Sequence, residues 1–332
     1  MANGKILRKL IKAGASGNSD EFRLASKAVI EEERQKQHHL LANDLERILY
    51  GNHSKADLSF KKNHLPISPI DKDRELPLLD VRIAQRPLEE VILSKDKYSN
   101  LEDFLEEHRR VDILYSYGIK PSNKVLFYGP PGCGKTFTAE AIAFELDLPF
   151  AIVRLDALVS SLLGETAVNL RKIFDFIHEN EMVVLFDEFD AIGKQRADFS
   201  EHGELRRVVN AVLQMIDLYQ GKSIILAATN HEQILDQAIW RRFDDVMEFP
   251  LPDHDQILKI LGLKLRGVRR QFELDDEKLS DLFSDYSGAD IERIVRRAIK
   301  KMILRQNEFL TIKDLEYSIS REVRNNNCNG SL

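Results

Sequence analysis

Short apolar runs alternate with amphipathic stretches between residues 124 and 250. Apolar residues in the longer stretches recur at helical spacing, whereas each short run is continuous and rich in β-branched and aromatic residues. The pattern predicts buried strands alternating with helices, which is typical of an α/β fold with a parallel sheet between helices. The predicted strands are Val125–Tyr128, Phe150–Leu155, Met182–Phe186, Ser223–Ala228 and Val246–Phe249.

Three more elements are predicted before the first of these strands. Leu78–Arg82 has the composition of a short strand, and Pro87–Leu93 fits a helix that proline opens at its first turn. A further helix is predicted at about residues 100–117. These elements bring the chain into the first strand of the α/β region, which spans residues 85–250.

The C-terminal region after the α/β region and the N-terminal region of the chain show only helical periodicity. Residues 251–325 predict a small all-α domain, and residues 1–50 predict a helical N-terminal region. The very polar centre of that N-terminal region fits either the solvated face of a two-helix hairpin or a docking module for a partner. Polar composition with prolines predicts a linker at residues 51–84, and an asparagine-rich segment predicts a disordered tail at residues 326–332.

Composition narrows the class of protein. The chain has 332 residues, of which 43% are apolar and 31% charged, as is usual for a globular protein of two or three domains. No run of 18 apolar residues and no secretory leader are found, so no membrane span and a cytoplasmic location are expected. Two cysteines are too few for a disulfide framework. The net charge of −6 gives no general attraction to nucleic acid, although a local basic patch stays possible.

The segment Gly129–Thr136 carries the strongest chemical signal. It fits the pattern G-x-x-x-x-G-K-[ST] and lies between a predicted strand and a predicted helix, the context that a phosphate-binding loop requires. Glycines let backbone N–H groups converge on an anion, and the helix N-terminus adds partial positive charge. Lys135 is therefore predicted to reach the β- and γ-phosphates of a nucleotide, and the Thr136 hydroxyl is predicted to ligate Mg²⁺.

Carboxylates follow the third predicted strand at Asp187 and Glu188. A buried strand that ends in two adjacent acids needs a partner for their charge, and magnesium is such a partner. Asp187 is predicted to hold the cation and Glu188 to accept a proton from the attacking water. Asn230 follows the fourth strand, where an amide can orient that water, although asparagine also forms turns there.

Two adjacent arginines, Arg241 and Arg242, follow Asn230 by eleven and twelve residues. Phosphoryl transfer depends on positioning and on neutralising charge, so an additional cation near the leaving phosphate is valuable. The alternative is that both arginines lie in a solvated turn.

These motifs together resemble those of AAA-type ATPases in order and spacing. The resemblance covers about residues 85–325, and the stretch that ends in the adjacent arginines is most similar to that of katanin- and spastin-like members. It rests on the segments Gly129–Thr136, Val183–Gly193, Ala227–Asn230, Leu235–Asp244 and Ser287–Ile291.

The resemblance implies a five-stranded α/β ATPase core followed by a helical lid. It implies a ring, usually a hexamer, in which ATP lies between subunits and Arg241 and Arg242 reach the nucleotide of the neighbour. Ala289 stands where many related ATPases have a sensor arginine, so no lid arginine is expected. The implied nucleotide contacts are Gly118 and Ile119 on the hinge side, Pro131, Gly132, Cys133, Gly134, Lys135, Thr136 and Phe137 in and after the loop, Asp187, and Ile257, Leu261, Gly288 and Ala289 in the lid.

Many members thread protein through the ring with a loop that reads aromatic-apolar-glycine. The matching residues here are Leu162, Leu163 and Gly164, so leucine replaces the aromatic. Leucine still wedges against an extended chain but lacks a large flat face. The alternative is that both leucines pack inside the subunit.

The expected function is Mg²⁺-dependent ATP hydrolysis that drives remodelling or unfolding of a protein client, which residues 1–85 select. Two alternatives remain: an ATP-switched scaffold that recruits a protease or nuclease, and a nucleic-acid remodeller or helicase loader. The acidic balance of the chain disfavours the second alternative.

Overall fold

The computed structural model divides the chain into two units, Met1–Leu65 and Pro66–Leu332. It describes residues 12, 22, 24–30, 65–71, 75–154, 163–189, 203–230, 237–274 and 277–329. In the first unit residues 24–30 are helical, and the rest of the predicted N-terminal region and most of the predicted linker lie outside the described residues. In the described part of the chain, no helix is both long enough and apolar enough to cross a membrane.

The second unit begins with the α/β region. Its strands are β1 (Leu79–Ile83), β2 (Lys124–Tyr128), β3 (Pro149–Val153), β4 (Val183–Phe186), β5 (Ile224–Thr229) and β6 (Asp245–Glu248). Its helices are α1 (Lys95–Arg109), α2 (Val111–Ser116), α3 (Lys135–Glu145), α4 (Leu163–Glu179), α5 (Gly203–Leu218) and α6 (Gln237–Trp240). The lid consists of α7 (His254–Lys264), α8 (Glu277–Asp281), α9 (Gly288–Leu304) and α10 (Ile312–Asn329).

The sheet confirms the α/β prediction and adds one strand to it. Its order is β1-β3-β4-β5-β2-β6, and the five strands predicted from the apolar runs pair in parallel. The short strand predicted at Leu78–Arg82 is β1, which pairs antiparallel with β3 at the edge and makes the five parallel strands a six-stranded sheet. Only Leu79 of β1 is fully buried, so this edge strand lacks the long apolar run that marks the others.

Both faces of the sheet are covered, which explains the continuous apolar runs. Along β4, Val184 and Phe186 pack in one hydrophobic core, whereas Val183 and Leu185 pack in the core on the opposite face. Successive strand residues point to opposite faces, so a strand between two cores has no position left for a polar side chain. Along β4, polar residues therefore begin only where the strand ends.

Some predicted helices have different bounds in the structure. The helix predicted at residues 100–117 is two helices, α1 and α2, and the one predicted at Pro87–Leu93 is a three-residue 3₁₀ turn, Leu88–Glu90. The last helix continues to Asn329 and so includes residues 326–329, which the composition assigns to a disordered tail.

The lid has its own hydrophobic core and well-capped helices. Asp253 caps α7 and Ser287 caps α9, each in a reciprocal capping box with the residue three positions later. Eleven buried apolar residues from the lid helices and the turns between them form the lid core, and six of the eleven lie on α7 and α9. The caps fix where α7 and α9 begin, and the start of α9 lies at the phosphate-binding loop.

Candidate active site

The strand order brings the predicted site residues to one edge of the sheet. β5 lies between β4 and β2, and Phe186 pairs with Ala227 while Tyr128 pairs with Thr229. All three strands are parallel, so the residues that follow them meet at the carboxyl edge, where α/β sheets bind ligands. The phosphate-binding loop, Asp187–Glu188 and Asn230 therefore share one location.

Three glycines of the phosphate-binding loop have backbone angles that other residues rarely adopt. Gly129, Gly132 and Gly134 have φ of +136°, +77° and +97°, and Gly134 is the N-cap of α3. Nothing lies within 4 Å of the position that a Cβ on Gly134 would occupy. The loop therefore leaves open space in front of the helix N-terminus, as an anion-binding site requires.

Gly129 has a second, steric reason to be glycine. A Cβ at this position would lie 2.1 Å from the carbonyl oxygen of Phe249, just after β6. We predict that Gly129→Ala lowers the free energy of unfolding by about 2–5 kcal/mol, because backbone strain and overpacking add. Urea unfolding measures this change.

Gly118→Ala is the matched control for that experiment. Gly118 also has a positive φ, +72°, but a Cβ there would have nothing within 4 Å. Only the left-handed strain of about 1–2 kcal/mol then applies. Equal losses in the two variants would show that the close approach to Phe249 has no energetic consequence.

Lys135 and Thr136 open helix α3 and turn toward the loop and the strand ends. Lys135 is buried, with only 6% of its surface exposed. Its Nζ donates to the carbonyl oxygens of Gly129 and Pro130 at 2.7 and 2.9 Å. Thr136 Oγ1 donates to Asp187 Oδ2 at 2.7 Å. The hydroxyl predicted to bind magnesium thus touches the carboxylate predicted to bind the same ion.

These two oxygens fit a magnesium site. Mg²⁺ binds hard oxygen ligands and usually takes one or two from the protein, the rest coming from phosphates and water. No group of three or more His, Cys, Asp or Glu side chains within the described residues forms a closed metal cage. The donor set therefore suits a cation that arrives with a nucleotide.

Glu188 stands in a tight turn that the sheet holds in place. Its backbone has φ of +50°, its N–H donates to Asp187 Oδ1 at 2.9 Å, and its side chain is exposed. The next residue, Phe189, is buried and donates its N–H to the carbonyl oxygen of Ala228 at 2.8 Å. A non-glycine residue in the left-handed region is strained, and such strain concentrates at functional sites.

Asn230 immediately follows β5 and is half-buried. The preceding Thr229 is fully buried in the strand, so the sheet fixes the backbone from which Asn230 starts. Because β5 lies between β4 and β2, Asn230 leaves the sheet between the strand that precedes Asp187 and the strand that precedes the phosphate-binding loop.

The lid contacts the phosphate-binding loop directly. Ala289 N–H donates to the Gly132 carbonyl oxygen at 3.1 Å. A Cβ on Gly132 would lie 2.5 Å from Ser287 Oγ and 2.9 Å from Ala289 Cβ. Ser287 was missed as a site residue from the sequence, although its spacing to Asp290 signals the cap that holds it there.

Arg241 and Arg242 have different surroundings. Arg241 is exposed and makes no hydrogen bond or ion pair with the described residues, whereas Arg242 Nη1 lies 3.3 Å from Asp217 Oδ2. That Nη1 atom is buried and donates no hydrogen bond within the described residues, so charge alone joins the pair. The ring of Trp240 packs edge-on against Tyr128, which ends β2, at 5.0 Å between centroids. The turn is thus anchored while Arg241 points to solvent.

The residues that the resemblance implies as adenine contacts differ in how exposed they are. Gly118 and Ile119 are exposed, but Ile257 and Leu261 are 1% and 0% exposed within the lid core, so they present no open surface here. A cavity of about 580 Å³ lies instead between the start of α1 and the outer face of α7, lined by Val91, Leu93, Tyr98, Lys259 and Leu263, among others. Contact of Ile257 and Leu261 with adenine stays a prediction.

Two remaining predictions concern Cys133 and the pore loop. Burial raises the pKa of the Cys133 thiol, with Asp290 adding to the rise and Lys135 opposing it, so the thiol stays protonated at neutral pH. This suits a small residue whose backbone is what the loop uses. Leu162 lies outside the described residues, and Leu163 and Gly164 begin α4, with side chains that are not described.

Comparisons with known proteins agree with this site. The family described as "ATPase family associated with various cellular activities (AAA)" matches residues 125–251. An uncharacterized AAA family ATPase of Sinorhizobium fredii is 38% identical over 324 residues, 98% of this chain and 96% of that protein. A 26S proteasome regulatory subunit homolog of Methanocaldococcus jannaschii is 31% identical over 242 residues, covering 70% and 65%. The 26S proteasome regulatory subunit S10B homolog B of Arabidopsis thaliana is 33% identical over 219 residues, covering 63% and 54%.

Proposed function

The chain belongs to the AAA family of ATPases, and from that premise we propose that it hydrolyses ATP with Mg²⁺ in a ring to remodel a protein client. The chain spans only about half to two thirds of the proteasome subunits that it matches, so their activities enter here as part of the proposal. The finer likeness to katanin and spastin stays a prediction.

One observation carries the proposal most strongly: the hydrogen bond between Thr136 Oγ1 and Asp187 Oδ2 at 2.7 Å. It joins the first turn of α3 to the end of β4, two segments that are 51 residues apart in the chain. Magnesium held at these oxygens would neutralise phosphate charge. Lys135 and the N–H groups of the loop would bind the phosphates beside them.

Hydrolysis follows from the acid and amide at the neighbouring strand ends. Glu188 accepts the proton of the attacking water, and Asn230 holds that water in line with the γ-phosphate. The exposed carboxylate of Glu188 stays on a fixed backbone because Asp187 and Phe189 are both hydrogen-bonded.

The second part of the proposal is the ring. Arg241 is exposed and its turn is anchored by Trp240, which suits a cation offered to another subunit. A hexamer would place Arg241 and Arg242 at the nucleotide of the neighbour. Arg242 would have to give up Asp217 to take part.

The third part of the proposal is the client. Residues 1–85 would select a protein client or an accessory partner, and Leu162 would contact a threaded chain. The relatives from Methanocaldococcus and Arabidopsis are named as homologs of proteasome regulatory subunits, and these names favour a protein client over a nucleic acid.

Binding of ATP tests the proposal before any client is known. We predict that Lys135→Ala weakens Mg²⁺–ATP binding about thirtyfold, because charge-assisted hydrogen bonds to phosphate contribute about 2 kcal/mol. Isothermal titration calorimetry measures the dissociation constant. Lys313→Ala is the control, since it removes the same charge from an exposed lid position.

The outcomes separate the candidate functions. Failure of folded wild-type protein to bind ATP with Mg²⁺ would overturn the proposal. Tight ATP binding with ATP-dependent assembly and negligible turnover would indicate the switched scaffold instead. ATPase activity that rises with DNA and falls with salt would indicate a nucleic-acid remodeller.

A further inference from the structure

A buried carboxylate joins the last two helices of the lid. Glu322 on α10 is 2% exposed, and its two oxygens lie 2.9 Å from Arg293 Nε and 2.8 Å from Arg297 Nη2 on α9. A buried charge is costly unless it is paired, and here two arginines pair with Glu322. Arg293 and Arg297 are one helical turn apart, which lets a single carboxylate face both.

Arg293 has a second partner, which Arg297 does not share. Arg293 also pairs with Asp290, in the first turn of α9. Asp290 in turn accepts hydrogen bonds from the N–H and the hydroxyl of Ser287, at 3.2 and 2.6 Å. Arg297 instead donates to the Ser318 carbonyl oxygen on α10 at 3.2 Å, away from the cap.

The capped turn ends at the phosphate-binding loop. Ser287 Oγ would lie 2.5 Å from a Cβ on Gly132, and Ala289 N–H donates to the Gly132 carbonyl oxygen. Contacts therefore run without a gap from Glu322 through Arg293 and Asp290 to the loop. Every link except Glu322 lies within the first two turns of α9 or at its cap.

We propose that Arg293, held by Glu322, is a positioning residue that fixes Asp290 and so keeps the turn Ser287–Ala289 against the phosphate-binding loop. The terminal helix α10 thereby raises affinity for nucleotide without touching it. The inference rests on the proposed function, since the nucleotide at the loop is taken to be ATP. It gives α10 a role beyond closing the lid core.

The test compares Arg293→Gln with Arg297→Gln. Each variant removes one of the two cations beside Glu322, so the midpoint temperature of thermal unfolding should fall by similar amounts in both. Only Arg293→Gln breaks the link to Asp290. Amide hydrogen exchange without nucleotide should then be at least about tenfold faster at Ala289 in Arg293→Gln than in Arg297→Gln, a difference of about 1.4 kcal/mol. The dissociation constant for ATP should be about threefold to tenfold higher in Arg293→Gln.

A further variant keeps the test decisive if Arg293→Gln does not fold. Asp290→Asn retains a side-chain oxygen that can accept hydrogen bonds from Ser287 but loses the charge that Arg293 contacts. The same faster exchange at Ala289 is expected. Equal exchange and equal ATP affinity in the Arg293 and Arg297 variants would overturn the inference. Wild-type protein that does not bind ATP would instead contradict the proposed function, and the exchange result would still be read independently.

Discussion

Glu188→Gln is expected to bind ATP as the wild-type protein does and to hydrolyse it at least about a hundredfold more slowly. A general base contributes about 10²–10⁴ in rate, and glutamine cannot accept the proton of the attacking water. A hundredfold corresponds to about 2.7 kcal/mol of barrier. Calorimetry measures binding, and phosphate release under saturating ATP measures turnover.

The geometry of Glu188 makes this substitution a clean probe of chemistry. Its backbone has φ of +50°, and glutamine has the same branching at Cβ, so both residues bear the same strain in the turn. The hydrogen bonds from Glu188 N–H and Phe189 N–H use backbone donors and survive the change. Loss of rate with retained binding therefore reports the carboxylate itself.

Glu181→Gln is the matched control, because Glu181 is exposed at the opposite end of β4. It removes the same charge from just before the strand, whereas Glu188 follows the strand, and it should leave turnover unchanged. Wild-type turnover in Glu188→Gln would remove Glu188 from its proposed role. The inactive variant in ATP would also retain a client, and nuclease treatment of the retained material would distinguish a protein from a nucleic acid.

The sequence could predict which residues meet at the carboxyl edge of the sheet, because they follow buried strands. The run that ends at Phe186 has no polar position available, so Asp187 and Glu188 mark the strand end in the sequence itself. The same reasoning applies to Asn230 after β5. Parallel pairing then brings these ends together, and the rule that ligands bind at the carboxyl edge needs no knowledge of individual contacts.

Local patterns failed where tertiary contacts decide the structure. β1 is a half-exposed edge strand, so its pattern could not show that it pairs antiparallel with β3. At Ile257 helical spacing predicts an apolar position, and the structure places this residue in the lid core, while its contact with adenine stays a prediction. Ser287 and Gly132 are 155 residues apart in the chain, and neither local sequence pattern indicates that they come into contact.

Arg241 tests the ring, and the largest loss of rate is expected from it. Arg241→Ala should lower ATP turnover by about 10³–10⁵, or about 4–7 kcal/mol of barrier, as for other arginine fingers. ATP binding should change little, because an arginine finger stabilises the charge of the transition state. Arg296→Ala, at an exposed position on α9, is the control for loss of an arginine. Arg242→Ala should also slow turnover, and it removes the pair with Asp217 as well.

Mixing subunits decides whether the arginine acts in the neighbour. Lys135→Ala subunits bind ATP poorly but keep Arg241, whereas Arg241→Ala subunits keep the loop but have no finger. A mixed ring contains interfaces where an intact loop meets an intact finger, so the mixture should be more active than either parent. Wild-type rings that take up Arg241→Ala subunits should lose more activity than their dilution explains. If mixtures of Lys135→Ala and Arg241→Ala subunits, in rings shown to exchange subunits, have only the average activity of those two variants, Arg241 serves its own nucleotide or none.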